Sequence, residues 1–201
     1  VLVIYQQEQD TVSGLGRIFN PTGLPMVHTD HYFIPNITRV DYMWGERSGS
    51  VLAGLRALPA TVGANDFVLV HDAARPCVPV DDVTRLVQLG IPAGGALLAA
   101  PLRDTLKRAD GSARVLATEE RESRWRALTP QLFRRGELEA ALAGAEAAGV
   151  AITDESMAMG GAGHPPLLVG GAGSDIKVAT PADLLLAEYL LSREWGMGNG
   201  E

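Results

Sequence analysis

The stretch FVLVHDAARPCV, residues 67–78, decides the fold of this chain. Its first four residues form a hydrophobic run that predicts a buried strand, and the run ends abruptly in His71 and Asp72, with Arg75 close behind. In open α/β sheets, ligands bind outside the carboxyl ends of the strands. A carboxylate there can hold a divalent cation or a sugar hydroxyl, and a guanidinium can bind phosphate. The alternative, of equal weight for this stretch alone, is a loop in which Asp72 caps a helix and Arg75 forms a salt bridge.

Strand and helix patterns alternate along the rest of the chain. The predicted strands are residues 1–5, 67–70, 94–102, 166–171 and 175–180, and the predicted helices are 48–58, 81–89, 134–149 and 180–195. Such alternation favours an α/β fold with a mostly parallel twisted sheet and helices on both faces. We therefore predict a single domain over residues 1–201, with no prediction for the elements of residues 6–42.

Residues 102–128 differ from this pattern. A turn signal at residues 109–112 lies between charged, half-alternating flanks, which predicts an exposed hairpin or arm projecting from the core. A charge run is usually a solvated face, but a cationic arm beside an acidic loop also suits a phosphate-binding lid. The basic residues of this segment are Arg103, Lys107, Arg108, Arg114, Arg121, Arg124 and Arg126.

Composition limits the function further. The 201 residues include 17 Lys and Arg against 24 Asp and Glu, a net charge of -7. This charge argues against nucleic acid as a partner but leaves room for a local cationic pocket for a phosphorylated small molecule. The single cysteine, Cys77, excludes an intramolecular disulfide and a cysteine-based zinc site. No apolar run approaches the roughly 18 to 20 residues of a membrane span and no signal peptide is seen, so we expect a cytoplasmic protein without membrane contact.

Three later motifs each admit an ordinary structural interpretation. In SDIKVATP, Asp175 and Lys177 are predicted on a short strand with Lys177 facing away from the core, where an isolated lysine is more often solvated. ITDES, residues 152–156, is typical of a helix cap at Thr153 or Asp154. ALTPQLF, residues 127–133, is typical of a loop before a helix. None of these motifs is specific by itself.

Taken together and in order, the motifs resemble one family. ERSGSVLAGL, VLVHDAARP, APLRDTLKR, ER followed by RWRALTPQLF, ITDES and SDIKVATPADLLLAE follow one another over residues 45–191. The series resembles the 2-C-methyl-D-erythritol 4-phosphate cytidylyltransferases of the non-mevalonate isoprenoid pathway. The resemblance implies a Rossmann-like nucleotidyltransferase fold and transfer of a cytidylyl group from CTP to a sugar-alcohol phosphate, with release of pyrophosphate.

The resemblance also implies roles for individual residues. Arg121 and Lys177 are expected to be catalytic cations that orient the attacking phosphate. The expected nucleotide-binding residues are Gly45, Ser50, Asp72 and Ala73, and the expected substrate-binding residues are Arg75, Thr105, Thr129 and Thr153. Asp72 and Asp175 are expected to hold Mg²⁺ or another divalent cation. An arm at about residues 103–126 is expected to join two copies into a homodimer with a shared active site.

One part of the family pattern is missing from the printed sequence. The family opens with a first strand and a glycine-rich loop that wraps the triphosphate, and no such loop is found here. Since the chain begins without methionine inside a predicted strand, we expect that a natural start is absent. If the chain is complete instead, transfer is expected to be slowed by about 10²-fold or more.

Two alternatives remain open at this point. One is a cytidylyltransferase for ribitol 5-phosphate, which shares the aspartate-arginine loop and the late lysine. The other is a non-catalytic dimeric module of the same fold, which the missing loop favours and the matching polar residues disfavour.

Overall fold

A computed structural model of the chain describes residues 2–6, 26–28, 47–72 and 74–196, with side-chain burial for residues 49–72 and 74–193. The strands in this part of the chain are β1 Leu2–Gln6, β2 Met26–His28, β3 Phe67–Asp72, β4 Gly95–Pro101, β5 Leu106–Ala109, β6 Val115–Glu119, β7 Trp125–Arg134 and β8 Leu167–Gly170. The helices are α1 Arg47–Arg56, α2 Val80–Ala93, α3 Arg135–Ala147, α4 Glu155–Gly161 and α5 Pro181–Gly196.

Six of these strands form the central sheet in the order β2-β1-β3-β7-β4-β8. The pairs β1-β2, β1-β3 and β4-β8 are parallel, and β7 runs antiparallel to both β3 and β4. The predicted mostly parallel α/β sheet is therefore confirmed, with one antiparallel strand inserted in its middle. Because β7 is reversed, its first residues lie at the same edge as the carboxyl ends of β3 and β4.

The two faces of the sheet bury separate apolar clusters. On one face, Val68 and Val70 of β3 and Phe133 of β7 pack with residues of α1, α3 and α4. On the other face, Leu69 of β3 packs in a cluster with Leu86 of α2. Alternate residues of β3 thus serve opposite faces, as the period of a strand requires. Helices on both faces were predicted, and burial on both sides explains the unbroken apolar run of β3.

Helix α2 lies very close to the sheet. Gly90 is buried within it, and a Cβ atom there would lie 2.8 Å from Leu132 Cδ2 and 2.9 Å from Ala96 Cβ. The helix ends at Gly94, which adopts a left-handed conformation with φ 81° and donates its N–H to the carbonyl of Ile91. This cap turns the chain directly into β4.

Two sequence predictions are corrected by the fold. Residues 127–133 were predicted to be a loop, but they lie within β7, where Gln131 pairs with Val70. Residues 175–180 were predicted to be a strand, but they form an irregular segment between β8 and α5. That segment instead donates the Val178 N–H to the Ala74 carbonyl at 2.7 Å. The apolar, β-branched pattern of residues 175–180 predicted a strand, because the pattern does not show that this segment bonds to a loop and not to a neighbouring strand.

The hairpin predicted within residues 102–128 is present as the antiparallel pair β5-β6, which forms its own two-stranded sheet. Asp110 closes the turn because its Oδ1 accepts the N–H groups of Ser112 and Arg114 at 2.9 and 3.0 Å. The C-terminal end of the predicted arm is shorter than expected, since Trp125 and Arg126 pair with β4 in the central sheet.

The last helix begins as its sequence predicts. Thr180 donates its N–H to Asp183 Oδ2 at 2.8 Å, and Asp183 returns its own N–H to Thr180 Oγ1 at 3.3 Å. This reciprocal capping box satisfies two N–H groups at the start of α5. Within the described residues, no helix is long and apolar enough to cross a membrane.

Candidate active site

A charged cluster lies at the carboxyl end of β3. Asp72 is the last residue of this strand, and its carboxylate is almost fully buried. One oxygen, Oδ1, accepts the Ala74 N–H at 3.0 Å, while the Arg75 N–H bonds to the Asp72 carbonyl at 2.9 Å. This tight turn brings the carboxylate of Asp72 and the half-buried Arg75 to the same edge, as the sequence predicted.

The irregular segment 175–178 lies against this turn. The Arg75 Nη1 group donates to the Asp175 carbonyl at 2.9 Å. Lys177 Nζ lies 3.3 Å from Asp72 Oδ2, so the other carboxylate oxygen is in an ion pair. The interpretation of Lys177 as a solvated edge-strand lysine is wrong, because its ammonium group is drawn to the buried Asp72. Four predicted site residues, Asp72, Arg75, Asp175 and Lys177, are therefore brought together.

Asp175 is the most enclosed charged group of the cluster. Its side chain is 0% exposed, and within the described part of the chain neither carboxylate oxygen has a hydrogen-bond partner. The pKa of Asp175 is raised to about 7, mainly because the group is buried and also because the carboxylates of Asp72 and Asp82 lie near it. The guanidinium groups of Arg75 and Arg126 oppose this rise. Near neutral pH, the protonated and ionised forms of this carboxyl group are therefore both populated.

Thr129 and His71 connect β7 to the end of β3. The described β3-β7 ladder runs as far as Val70 and Gln131, and the Asp72 N–H beyond it is donated to Thr129 Oγ1 at 3.0 Å. The same hydroxyl lies 3.0 Å from His71 Nδ1, and His71 Nε2 lies 3.1 Å from the Arg75 carbonyl. Desolvation by burial lowers the pKa of His71 to about 4, so the ring is neutral at physiological pH. All three side chains of this group, His71, Asp72 and Thr129, are buried.

Two further polar residues hold the surrounding loops, and neither was singled out in the sequence. Asp82, in the first turn of α2, accepts the Ala172 N–H at 2.6 Å and thereby ties the loop after β8 to the helix. Gln131 donates to Asp154 Oδ2 at 3.1 Å and accepts the Ser156 N–H at 2.8 Å, which ties β7 to the start of α4. A strand prediction for residues 127–133 would have placed Gln131 on β7.

The remaining predicted residues lie on other elements. Ser50 is half-buried on α1. Thr153 is exposed one residue before Asp154, the predicted cap of α4, whose side chain accepts the Met157 N–H. Thr105 is exposed before β5, and Arg121 donates to the Arg103 carbonyl at 2.6 Å, a contact within the arm segment. Gly45 and Ala73 lie outside the described residues.

The carboxylates of the cluster fit a divalent cation. Carboxylate oxygens suit Mg²⁺, which is commonly held by one or two of them together with substrate phosphates and water. Asp72 and Asp175 influence each other electrostatically, and the oxygens of Asp175 lack hydrogen bonds from the described residues. Within the same residues, no group of three His, Cys, Asp or Glu side chains could hold a metal ion. A cation here would therefore need further ligands, such as water or a bound phosphate.

The fold of this chain is similar to that of several solved structures. A crystal structure of 4-diphosphocytidyl-2C-methyl-D-erythritol synthase is 40% identical with a TM-score of 0.65, covering 72% of this chain and 67% of that chain. A 2-C-methyl-D-erythritol 4-phosphate cytidylyltransferase structure from Francisella tularensis is 25% identical with a TM-score of 0.81, covering 94% of this chain and 98% of that chain. The fold is accordingly that of the Rossmann-like nucleotidyltransferases.

Sequence comparison narrows this class to one family. The family model of 2-C-methyl-D-erythritol 4-phosphate cytidylyltransferase matches residues 36–193. The protein of that name from Stenotrophomonas maltophilia (strain K279a) is 58% identical over 151 residues, which is 75% of this chain. The chain belongs to the 2-C-methyl-D-erythritol 4-phosphate cytidylyltransferase family. The matched part covers 65% of the length of the Stenotrophomonas relative.

Proposed function

We propose that the protein transfers a cytidylyl group from CTP to 2-C-methyl-D-erythritol 4-phosphate in isoprenoid precursor synthesis. The observation that carries this proposal is the convergence of Asp72, Arg75 and Lys177 at the carboxyl edge of the sheet. Membership of the family supplies the substrates, and the cluster supplies fixed charges of both signs where a nucleotide and a second phosphate would meet.

The reaction joins two polyanions. A phosphate oxygen of methylerythritol phosphate attacks the α-phosphorus of CTP, the bond from that phosphorus to the bridging oxygen breaks, and pyrophosphate leaves with the bonding electrons. Little covalent chemistry is required of the protein. Catalysis of this kind depends on bringing the reactants into line and on stabilising the charge of the transition state.

The positions of the residues in the cluster suggest a role for each of them in the transfer reaction. Lys177 would orient the attacking phosphate, and the adjacent Arg75 would bind the sugar phosphate. Arg121 would contribute a second orienting cation, delivered by the arm. Asp72 would bind near the nucleotide sugar and hold Mg²⁺ together with Asp175. When bound, this cation would neutralise part of the triphosphate charge.

Other residues would surround the two substrates. We assign the nucleotide side to Gly45, Ser50 and Ala73, with Ser50 close to the cytosine. The methylerythritol phosphate side is assigned to Thr105, Thr129 and Thr153. Since Thr105 and Thr153 are exposed while Thr129 is buried, the first two are the better placed for direct contact.

The arm is proposed to join two copies of the chain. Its strand β6 presents Val115 and Leu116, which are 63% and 57% exposed. Large apolar side chains at the tip of a two-stranded sheet favour burial against another surface. A homodimer formed there would bring Arg121 of one protomer towards the cluster of its partner. The cytoplasmic location expected from the sequence stays a prediction.

The proposal is tested by measuring pyrophosphate release with CTP, Mg²⁺ and methylerythritol phosphate. We expect release that depends on all three components and is much weaker when UTP replaces CTP or ribitol 5-phosphate replaces the substrate. Calorimetric titration with CTP and Mg²⁺ separates binding from chemistry. Release with ribitol 5-phosphate alone, or no release with either acceptor, would contradict the proposal.

A further inference from the structure

Asp82 is an acidic residue in the first turn of α2 whose side chain reaches the loop after β8. Its Oδ2 atom accepts the Ala172 N–H at 2.6 Å, and its Oδ1 atom accepts Arg85 Nη2 at 2.5 Å. The residue is 6% exposed. An acidic residue in the first turn commonly stabilises its helix through the dipole while remaining in solvent. Here the carboxylate is buried and joins the loop to a cation on the next turn of the helix.

Arg85 contacts the same loop. Its Nη2 atom donates to the Gly170 carbonyl at 2.5 Å as well as to Asp82. The carboxylate and the guanidinium therefore hold two backbone groups that lie two residues apart, the Gly170 carbonyl and the Ala172 N–H. Hydrogen bonds with an ionised partner are roughly twice as strong as those between neutral groups. We call Asp82 and Arg85, with these two contacts, the α2 clamp.

The loop that the α2 clamp holds is rich in glycine. Residues 170–174 read GGAGS, so three of the five have no side chain that could pack and have a backbone with wide conformational freedom. The Gly171 N–H is donated to the Ala99 carbonyl of β4 at 2.8 Å, which restrains the start of the loop. Among the described hydrogen bonds, the Ala172 N–H on Asp82 is the next restraint along the chain that comes from another element.

This restraint extends to Asp175. The Ala172 carbonyl accepts the Asp175 N–H at 3.2 Å, so Ala172 is bonded to Asp82 on one side and to Asp175 on the other. The Asp175 carbonyl accepts from Arg75 in the turn after β3, and Lys177 follows two residues later. The segment with Asp175 and Lys177 is thus fixed at the turn after β3 and, through Ala172, at α2.

We propose that Asp82 and Arg85 are positioning residues for the transfer reaction. They act through the loop after β8, by setting where Lys177 and Asp175 lie relative to the turn after β3. A displacement of about 1 Å can lower a rate by about 10²-fold. The role in the reaction rests on the proposed function, whereas the contacts of the α2 clamp do not.

The charge of Asp82 offers a second way to affect the reaction, because its carboxylate is one of the groups that raise the pKa of Asp175. The effects of charge and of position differ in sign. Removing Asp82 takes away a negative charge and removing Arg85 takes away a positive one, so effects of charge alone on the rate would be opposite. Loss of position would lower the rate in both cases.

The kinetic test therefore compares Asp82→Ala with Arg85→Met, by pyrophosphate release from CTP and methylerythritol phosphate. We expect kcat to fall in both, by about 10²-fold in Asp82→Ala and by less in Arg85→Met, with KM for either substrate little changed. Asp81→Ala is the matched control and should keep the wild-type kcat, since Asp81 is exposed in the same turn of α2 and carries the same charge. Opposite changes of kcat in the two variants, or an unchanged kcat in both, would overturn the proposal.

A double variant tests whether the two residues act as one unit. Asp82→Ala combined with Arg85→Met should lose less activity than the product of the two single losses, because both residues hold one loop. Independent, multiplicative losses would overturn the α2 clamp. The Arg85 side chain is 44% exposed, so Arg85→Met is expected to fold even where Asp82→Ala does not. Its kcat would then decide alone, and an unchanged value would overturn the proposal.

Amide hydrogen exchange followed by NMR tests the contacts without any substrate. We expect the Ala172 N–H to be protected in the wild type and to exchange about 10-fold or more faster in Asp82→Ala and Arg85→Met, while Asp81→Ala leaves it unchanged. An unprotected Ala172 N–H in the wild type would overturn the α2 clamp even in an active enzyme. An inactive wild-type chain with a protected Ala172 N–H would overturn the proposed function and keep the clamp.

Discussion

Lys177 and Asp72 come from opposite halves of the chain, yet their side chains form an ion pair with Nζ 3.3 Å from Oδ2. Asp72 ends a central strand, whereas Lys177 lies in an irregular segment before the last helix. The Val178-Ala74 and Arg75-Asp175 hydrogen bonds hold these two segments side by side. The ammonium group is thereby kept at the proposed reaction centre while remaining partly exposed to an incoming phosphate.

Replacing Lys177 by glutamine is expected to lower kcat for pyrophosphate release by about 10²-fold or more, because one preorganised cation is lost from the transition state. Steady-state kinetics with CTP and methylerythritol phosphate would measure the change. Arg56→Gln is the control for charge, since Arg56 ends α1 and pairs loosely with Glu139 at 3.7 Å. Equal, small effects of the two substitutions would show that Lys177 has no part in catalysis.

Replacing Asp175 by asparagine is expected to alter how stability depends on pH. The folded chain, with a pKa of about 7 at Asp175, keeps a proton that the unfolded chain releases above its ordinary pKa of 3.8. Because of this group, the free energy of unfolding of the wild type decreases as pH rises from 4 to 7. Between pH 5 and pH 8, the stability of Asp175→Asn relative to wild type should grow by about 3 kcal/mol. Urea unfolding in EDTA would measure it.

His71 supplies an internal check on this experiment. Its folded-state pKa of about 4 lies below the ordinary 6.5, so its contribution to stability is present above pH 6.5 and is lost as pH falls towards 4. In the wild type, the contributions of Asp175 and His71 to stability change in opposite directions with pH. In Asp175→Asn the loss of stability on acidification should become visible, and Asp104→Asn, an exposed substitution, should follow the wild type. A constant difference between Asp175→Asn and wild type at every pH would contradict the raised pKa.

Replacing Leu116 by glutamate is expected to convert the proposed homodimer into monomers. A charge placed in the buried centre of an interface loses hydration without gaining a partner. Sedimentation velocity across a range of protein concentrations would measure the change in mass. Leu185→Glu is the matched control, since Leu185 is 69% exposed on α5, outside the arm. A wild-type chain that is already monomeric would remove the proposal that the arm joins two copies.

Two glycine-to-alanine substitutions should have opposite effects on stability. Gly90→Ala would place a methyl group 2.8 Å from Leu132 Cδ2 and is expected to destabilise the fold by about 1 to 3 kcal/mol. Gly144 lies exposed within α3 with no atom near its added Cβ, so Gly144→Ala should stabilise the helix by about 0.5 to 1 kcal/mol. Thermal or urea unfolding of both variants would measure this. Similar effects in both would mean that α2 is not closely packed on the sheet.

Local signals were enough to predict most of the secondary structure. The apolar run of β3, the acidic first turn of α2 and the Thr180-Asp183 capping box each correspond to an element in the structure. These features act within a few residues, through side-chain periodicity and capping hydrogen bonds. Prediction failed for β7, because the Thr129-Pro130 pair is typical of a loop by local criteria. Only the neighbouring strands β3 and β4 make that segment part of a sheet.

The sequence by itself determined that Asp72 and Arg75 lie at one edge of the sheet, since they follow directly on the apolar run of a buried strand. Tertiary structure decided what each of them contacts. The pairing of Lys177 with Asp72, the burial of Asp175 and the inward turn of Thr129 all depend on segments far apart in sequence. Burial and hydrogen bonding across the fold set the protonation and orientation of these groups, and neither is encoded in the local pattern.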